Sequence, residues 1–293
     1  MLSIITPVYN RAYILDELFF SLERQTNKNF EWIVVDDGST DDTWKKLESY
    51  KQLENSFKIR IIHQENSGKH VAVNRAISMA NGEYSFIVDS DDYLTDDAVE
   101  VIIQWLKAVN GRKDIAGVSG LRISKSTKKL LCQFPKNISE GNYIEAKNTE
   151  RRKYSLLGEM AEIYRTELLR QHPFPVFDGE RFITECVVWD QLAYEGYKVR
   201  WYNKIIYCGD YLADGLTKDL SKEINNFQGF TYATKQKIKC NSCLEGIIAC
   251  GVYFEVAKQK NLTIREMGHV LETNVWRIHV GVFLRKLLSI LKG

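Results

Sequence analysis

The sequence has 293 residues, close to twice a typical domain length, so we expect one large α/β unit with an appendage, or two small domains. Hydrophobic residues make up 44% of the chain, which is enough for a sizeable core. Forty basic against 38 acidic residues give a net charge of +2, and this balance excludes a nucleic-acid-coating protein and an acidic solvating tail.

The first 125 residues alternate between strand and helix patterns. Short apolar runs rich in β-branched residues predict strands, and apolar residues at helical spacing predict helices. The predicted strands are Leu2–Thr6, Phe30–Val35, Ile59–His63 and Tyr84–Val88. The predicted helices are Ile14–Gln25, Thr40–Tyr50, Lys69–Met79 and Asp96–Leu106, the last capped by Thr95. This alternation favours a mostly parallel, Rossmann-like sheet flanked by helices.

The rest of the chain is less regular. Between Ser124 and Glu150 the periodicity weakens, which indicates irregular surface structure. Further on, Glu162–Arg170 and Glu185–Glu195 are predicted as helical or mixed, Lys198–Tyr207 as a strand, and the residues beyond Lys218 as a helical C-terminal extension. The predicted divisions are therefore residues 1–125, 126–217 and 218–293.

Polar, charged and flexible residues follow all four predicted strands. In open parallel sheets, ligands bind beyond the carboxyl ends of the strands. Mere connections would carry such residues at one or two of these positions, so the pattern favours a binding site. The segments are Pro7-Val8-Tyr9-Asn10, Asp36-Asp37-Gly38-Ser39, Gln64-Glu65-Asn66-Ser67-Gly68-Lys69 and Asp89-Ser90-Asp91-Asp92.

Asp89, Asp91 and Asp92 are the clearest candidates for chemistry. Three carboxylates in four residues repel one another, and a fold keeps such a cluster when a cation or hydrogen-bond donors neutralise it. A divalent ion with oxygen ligands, Mg²⁺ or Mn²⁺, keeps open positions for substrate phosphates and fits Asp89 and Asp91. The alternative is a solvated turn that caps the following helix, a role that suffices for Asp92.

The neighbouring loops carry groups that suit a nucleotide. A carboxylate of Asp36 or Asp37 can accept hydrogen bonds from a base or a ribose, although these residue types also form plain turns. Tyr9 offers a flat face on which a base can stack, and a packed surface tyrosine is the alternative. Lys69 and Arg75 supply positive charge for a phosphate.

Over about residues 1–215, the sequence resembles the family 2 glycosyltransferases with the GT-A fold. The resemblance lies in the order and spacing of four motifs, Thr6–Asn10, Asp36–Ser39, Asn66–Lys69 and Asp89–Asp92. The resemblance implies a nucleotide-sugar donor, usually a UDP-sugar, inversion at the anomeric carbon, and a Mn²⁺ or Mg²⁺ ion on Asp89 and Asp91, with Asp91 also counted as catalytic. Residues 1–125 would bind the donor and residues 126–217 the acceptor. From the residues and the resemblance together, the predicted donor-binding residues are Thr6, Pro7, Tyr9, Asp36, Asp37, Asn66, Lys69, Arg75, Asp89 and Ser90.

The resemblance also implies a catalytic base at the start of a helix in the second half, where related enzymes carry a Glu-Asp pair. Here Glu185 is followed by Cys186, which departs from that pattern. We therefore predict Glu185 as the base and Trp189, on the same helical face, as a platform for the acceptor sugar. Asp190 and Asp210 are alternatives, and Glu185 can instead simply favour a helix N-terminus.

Two segments near the C-terminus suggest further contacts. Tyr211–Thr217 resembles the closing segment of some bacterial members and is expected to cover the diphosphate. Trp276–Lys292 mixes basic and apolar residues, so it can lie in a membrane surface, or pack on the body of the protein or on another subunit. Its basic residues are Arg277, Arg285, Lys286 and Lys292, and its apolar ones are Ile278, Val282, Phe283, Leu287, Leu288 and Leu291.

Together these features predict an inverting, metal-dependent glycosyltransferase that acts on a glycan or lipid-linked acceptor, in bacterial surface polysaccharide assembly, with no nucleic-acid partner. Six cysteines are too sparse for a disulfide scaffold, so we expect the protein in the reducing cytoplasm. The basic helix suggests peripheral contact with the inner face of the cell membrane. The alternatives are a non-catalytic nucleotide-sugar-binding subunit, and a sugar nucleotidyltransferase, whose early Gly-rich basic loop the sequence lacks.

Overall fold

The computed structural model describes residues 1–210 and 221–290, with side chains to residue 287. The described residues form two compact units. The first holds residues 1–173 and 196–210, and the second holds residues 174–195 and 221–290. The predicted diphosphate loop Tyr211–Thr217, the side chain of Leu288, and residues Leu291 and Lys292 lie outside this description.

The first unit is an α/β domain. Its strands are β1 (Leu2–Val8), β2 (Phe30–Asp36), β3 (Lys58–His63), β4 (Tyr84–Ile87), β5 (Tyr93–Leu94), β6 (Ile115–Ser124), β7 (Cys132–Gln133), β8 (Tyr143–Ala146), β9 (Leu157–Gly158), β10 (Met160–Arg165) and β11 (Lys198–Gly209). Its helices are α1 (Leu15–Glu23), α2 (Thr43–Gln52), α3 (Lys69–Met79), α4 (Ala98–Ala108) and α5 (Thr166–Gln171), with a 3₁₀ turn at Asn148–Glu150.

Nine of the strands described in this unit form one mixed sheet. Its order is β3-β2-β1-β4-β10-β6-β11-β5, and β8 pairs with β11 outside that path. The first four strands in the chain run parallel to one another, and β6 runs parallel to β11, whereas β10 lies antiparallel between β4 and β6. In this register Val8, Asp36 and His63 stand side by side. The loops that follow β1, β2 and β3 therefore leave the sheet at one edge.

The core of the first unit lies between the sheet and its helices. β1 and β2 are buried along their whole length, which matches their mainly apolar composition. On α1, Leu18 and Phe19 face inward, and the Phe19 ring stacks on Tyr50 of α2 with ring centroids 4.0 Å apart. Full burial of one such side chain is worth about 1.5–3 kcal/mol, so these contacts stabilise the packing of α1 and α2.

A buried carboxylate ties β2 to two neighbouring segments. Glu31 accepts hydrogen bonds from Ser3 Oγ at 2.7 Å, from the Asn81 backbone N–H at 2.6 Å and from Asn81 Nδ2 at 3.0 Å. Burial raises the pKa of Glu31, but these bonds and the charge of Arg60 outweigh it, so the pKa lies below its ordinary value. The folded state thus favours the ionised carboxylate.

The second unit is helical in its described residues. It contains α6 (Cys186–Tyr194), α7 (Ser221–Asn225), α8 (Phe227–Cys240), α9 (Cys243–Gln259), α10 (Ile264–Val270) and α11 (Val275–Ile290). Thr263 and Glu266 form a reciprocal capping box at the start of α10. The prediction of an α/β fold with C-terminal helices is confirmed. In the described parts of the chain, no helix combines the length and hydropathy that a membrane crossing needs.

Candidate functional site

Asp37 joins the loop after β2 to the loop after β3. Its carboxylate is buried and accepts hydrogen bonds from Gln64 Nε2 and from the backbone N–H groups of Ser67 and Gly68, each at 2.8 Å. Gly38 follows with φ +76°, and a Cβ at this position would lie 2.7 Å from the Asn66 nitrogen. The two loops are therefore in direct contact, as the shared strand edge requires.

The loop after β1 is hydrogen-bonded to the loop after β2. Asn10 adopts a φ of 51°, its backbone N–H donates to Ser39 Oγ at 2.9 Å, and its Oδ1 accepts from the Thr40 N–H at 2.8 Å. These bonds leave the preceding Tyr9 with 43% of its surface exposed. Tyr9 thus presents an accessible ring beside the Asp36–Ser39 loop.

Several residues predicted to bind a donor are buried in the strands. Thr6 and Pro7 lie inside β1, and Thr6 Oγ1 accepts a hydrogen bond from Trp32 Nε1 at 2.9 Å. Asp36 is fully buried, with its Oδ2 2.8 Å from His63 Nδ1 and its Oδ1 accepting from the Ser39 N–H at 3.1 Å. These side chains maintain the edge of the sheet, and their contact with a donor stays a prediction.

Lys69 connects the loop after β3 to the acidic segment after β4. It is the first residue of α3, and its Nζ lies 2.7 Å from Asp89 Oδ1. Both side chains are about one-third exposed, at 27% and 34%. Arg75, two turns along α3, is exposed and donates to the His63 carbonyl at 3.0 Å, whereas Ser90 is buried. The four predicted loops therefore meet in one place.

The carboxylates of this segment have different protonation tendencies. Burial raises the pKa of Asp89, but the nearby charges of Lys69, Arg122 and Arg11 outweigh it and lower the pKa below its ordinary value. Burial and the negative charge of Asp89 raise the pKa of Asp91. Asp89 is therefore the more strongly ionised of the two.

Asp92 does not cap a helix, which corrects the role expected for it. It is only 1% exposed, and its Oδ2 accepts hydrogen bonds from Tyr207 and from Arg122 Nη2, both at 2.8 Å. Burial outweighs the charge of Arg122 and raises its pKa to about 7. The N-cap residue of α4 is Asp97 rather than Thr95, whose hydroxyl donates to the Asp97 carboxylate.

Tyr207 and Arg122 form a brace beneath the acidic segment. The Tyr207 hydroxyl donates to Asp92 and accepts from the Asp89 N–H at 3.0 Å, while Arg122 lies 5.0 Å over the Tyr207 ring and also pairs with Glu159 at 2.7 Å. The sequence did not predict a role for Arg122, Glu159 or Tyr207. They lie on or beside β6, β9 and β11, far along the chain from the acidic segment, and belong to none of the four loop motifs.

The residues predicted for the acceptor side belong to the second unit. Glu185 is the half-buried N-cap residue of α6. Trp189 is only 6% exposed, and its indole packs edge-on against Phe174 with ring centroids 6.0 Å apart. A ring packed in this way offers little face to a sugar, so the structure gives the platform role no support, and that role stays a prediction.

The two alternatives to Glu185 hold structural hydrogen bonds. Asp190 is buried and accepts from Asn241 Nδ2 at 2.9 Å. Asp210 lies in the first unit, where it accepts from Ser124 Oγ at 2.6 Å and from the Ser126 N–H at 3.0 Å. Burial raises the pKa of Asp210, but these bonds and the charge of Lys125 together outweigh it and lower the pKa, which makes Asp210 a weaker base.

Asp89 and Asp91 are the predicted ligands of a divalent ion, and that role stays a prediction. In the described residues no three His, Cys, Asp or Glu side chains form a metal centre made by the protein alone. Two neighbouring carboxylates at a partly exposed edge instead fit an ion that takes its remaining ligands from a diphosphate and water. The donor set suits Mg²⁺ or Mn²⁺, which prefer oxygen ligands.

The sequence matches the model of Glycosyl transferase family 2 over residues 3–172. The chain belongs to this family. The matched residues include all four loops that meet at the sheet edge. Membership of family 2 was the prediction from the motifs, and it is confirmed.

Two curated relatives show how far the similarity extends. Glycosyltransferase GlyG of Streptococcus pneumoniae is 39% identical over 108 residues, which is 36% of this chain and 35% of that protein. The GalNAc(5)-diNAcBac-PP-undecaprenol β-1,3-glucosyltransferase of Campylobacter jejuni is 28% identical over 195 residues, which is 66% of this chain and 60% of that protein. The family 2 chain therefore aligns with about a third of the first relative and three-fifths of the second.

Solved structures share the architecture. Residues 1–349 of S. aureus TarS in complex with UDP-GlcNAc superpose with a TM-score of 0.63 at 19% identity, covering 87% of this chain and 71% of that one. Mannosyltransferase PcManGT of Pyrobaculum calidifontis, in complex with GDP-Man and Mn²⁺, gives a TM-score of 0.57 at 17% identity, covering 99% and 75%. At these identities the likeness shows the fold, and the GT-A architecture is confirmed.

Proposed function

We propose that this family 2 chain is an inverting, metal-dependent hexosyltransferase. It would move a sugar from a nucleotide diphosphate, a UDP-sugar, to a hydroxyl group of a glycan or lipid-linked acceptor. The observation that carries the proposal is the 2.7 Å contact between Lys69 and Asp89. It places a cation and the acidic segment at the same end of the sheet as the two loops that Asp37 connects. Opposite charges at one sheet edge suit a bound diphosphate.

The donor would be held by groups from all four loops. The exposed Tyr9 ring can stack on the base, and Lys69 and Arg75 can face the phosphates. Asp36 and Asp37 would contribute to donor binding partly by fixing the positions of their loops. Each carboxylate already makes at least two polar contacts with the protein. TarS has been solved with UDP-GlcNAc and PcManGT with GDP-Man, which supports a nucleotide-sugar donor.

Asp89 and Asp91 would hold Mn²⁺ or Mg²⁺. When bound, the ion neutralises negative charge on the departing diphosphate. Lys69 adds a second positive charge at the same edge, and the Tyr207 brace holds the backbone of Asp89 in position. The residues of this chain thus present oxygen ligands and a cation together.

Glu185 is the proposed general base. It would take the proton from the acceptor hydroxyl as that oxygen bonds to the anomeric carbon, while the bond from this carbon to the diphosphate oxygen breaks. Attack opposite to the leaving group inverts the anomeric configuration. The support is the half-buried carboxylate at the start of α6.

We place the reaction in bacterial surface polysaccharide assembly, in the cytoplasm, with peripheral contact at the inner face of the cell membrane through the C-terminal basic helix. The Campylobacter jejuni relative acts, by its name, on a saccharide linked to PP-undecaprenol, which supports a lipid-linked acceptor.

The experiment is turnover of a panel of UDP- and GDP-sugars with Mn²⁺, with Mg²⁺ or with EDTA, measured as release of the nucleoside diphosphate. We expect one donor to be consumed with metal and not with EDTA. Asp91→Asn should abolish release, and Glu185→Gln should abolish transfer while donor binding is kept. Asp42→Asn, an exposed carboxylate, is the control. Wild-type protein that neither binds nor consumes any donor would refute the proposal.

A further inference from the structure

The outward face of α11 carries an apolar stripe. Trp276, Val280, Phe283 and Leu287 are 50%, 37%, 60% and 41% exposed. They lie four, three and four residues apart, so they line one side of the helix over about three turns. An exposed apolar stripe of this length marks a surface that contacts something other than water.

The opposite face of the helix is firmly packed within the second unit. Ile278 is fully buried, and Gly281 lies so close to α9 that an added Cβ would stand 2.3 Å from the Ile247 carbonyl oxygen. The same approach is seen from Gly251, where a Cβ would meet the Gly281 carbonyl at 2.5 Å. This contact fixes the rotation of α11, so the outward direction of the stripe follows from packing.

This arrangement divides the apolar residues that the sequence pattern had grouped together. Ile278 belongs to the packed face, whereas Phe283 and Leu287 belong to the exposed face together with Trp276 and Val280. A helix that only packed on its own unit would need one apolar face. Among the residues that the structure describes, α11 has two, and packing within the second unit accounts for one of them.

The charge of α11 indicates what covers the exposed face. The chain from Thr273 to its last residue contains no Asp or Glu, while α11 carries Arg277, Arg285 and Lys286. At 100° per residue, Lys286 and Arg277 lie on opposite flanks of the stripe. The Arg277 guanidinium also stands 5.8 Å over the Trp276 ring, at the start of the stripe. Cations on both flanks of an apolar stripe complement an anionic, apolar surface.

We propose that this face of α11 binds the surface of an anionic phospholipid membrane. The aromatic and aliphatic side chains would enter the boundary between headgroups and acyl chains, and the flanking cations would face the headgroup phosphates. The inference deepens the membrane contact of the proposed function and rests on that function for its purpose, since a lipid-linked acceptor is reached at such a surface.

The test is flotation of the full 293-residue chain with vesicles of equal parts phosphatidylglycerol and phosphatidylethanolamine, compared with vesicles of phosphatidylcholine. We expect binding to the anionic vesicles that weakens as salt is added, because screening acts on the flanking cations. Phe283→Ser should weaken binding about tenfold, because the variant lacks an aromatic side chain that the membrane would remove from water.

Phe20→Ser is the matched control, since Phe20 is a phenylalanine of α1 with 51% exposure in the first unit. It should leave flotation unchanged, and circular dichroism should show both variants folded. Equal losses in the two variants, or no flotation of the wild type, would overturn the inference. So would a dimer that Phe283→Ser dissociates in gel filtration without any binding to vesicles.

Donor binding, followed by thermal shift in the same preparations, separates this inference from the proposed function. Nucleotide-sugar binding without vesicle binding refutes the membrane contact and leaves the proposed use of a nucleotide-sugar donor standing. Vesicle binding without any donor binding refutes the proposed function and leaves the membrane face standing.

Discussion

Tyr207 of β11 donates its hydroxyl hydrogen to Asp92 at 2.8 Å, across 115 residues of chain. The same hydroxyl accepts the backbone N–H of Asp89 at 3.0 Å. Burial, and next the negative charge of Asp92, raise the pKa of Tyr207 well above its ordinary value, so the hydroxyl keeps its hydrogen. A single side chain therefore holds both ends of the acidic segment.

Tyr207→Phe should weaken metal-dependent donor binding. The change leaves the Asp92 carboxylate with one donor fewer and the Asp89 N–H without its partner, at a cost of about 1–3 kcal/mol. Calorimetric titration of the nucleotide sugar in Mn²⁺ gives the binding constant, and urea unfolding gives the stability.

Tyr253→Phe is the matched control for this variant, because Tyr253 is also buried and its hydroxyl bonds to Thr231 in the second unit. It should lower the free energy of unfolding without changing donor affinity. If both variants bind the donor as the wild type does, the brace has no role in positioning the acidic segment.

Asp37→Asn should loosen the loop after β3. One of the two carboxylate oxygens becomes an NH₂ group, so acceptors for Gln64, Ser67 or Gly68 are lost. Hydrogen bonds to a charged group contribute about 1.5–3 kcal/mol, and we expect faster amide hydrogen exchange at Ser67 and Gly68 with weaker donor binding. Asp42→Asn, which alters an exposed residue with no capping bond, should change neither. Unchanged exchange in the Asp37 variant would contradict the role of this carboxylate.

Glu31 predicts a component of acid unfolding. Its pKa is lowered in the folded state, so it contributes stability that is complete above the pKa of the unfolded chain, about 4.3, and is lost as the pH falls through the folded value. Glu31→Gln should cost about 1–3 kcal/mol at neutral pH and flatten the fall in stability below about pH 4.3. Urea titrations at a series of pH values measure this. Glu54→Gln, at an exposed position, should keep the wild-type slope, and the same slope in both variants would refute the assignment.

The local patterns were sufficient to predict the first four strands and their loops. Those strands are short, mainly apolar segments, and parallel pairing brings their carboxyl ends together whatever follows. The start of α2 was placed too early, at Thr40 rather than Thr43, because Thr40 bonds to Asn10 of another loop. Local propensity does not reveal such a competing contact.

Long-range pairing explains what the sequence did not reveal. β10 occupies part of Glu162–Arg170, predicted as helical or mixed, and it runs antiparallel between β4 and β6, a position set by sheet partners rather than by its own composition. Local sequence alone indicates that Asp92 is a turn residue. Its contacts with Tyr207 and Arg122 come from strands distant in the chain. Trp189 lies on the expected helix, yet its burial against Phe174 depends on packing that no local pattern contains.

The most direct test of the account is calorimetric titration of the preferred nucleotide sugar into the wild type and Asp91→Asn, with and without Mn²⁺. We predict that Mn²⁺ tightens binding to the wild type by about tenfold or more and has no effect on Asp91→Asn, because Asp89 and Asp91 would hold the ion against the diphosphate. Wild-type affinity that is the same with and without Mn²⁺, or an Asp91→Asn variant that responds to the ion as the wild type does, would contradict it.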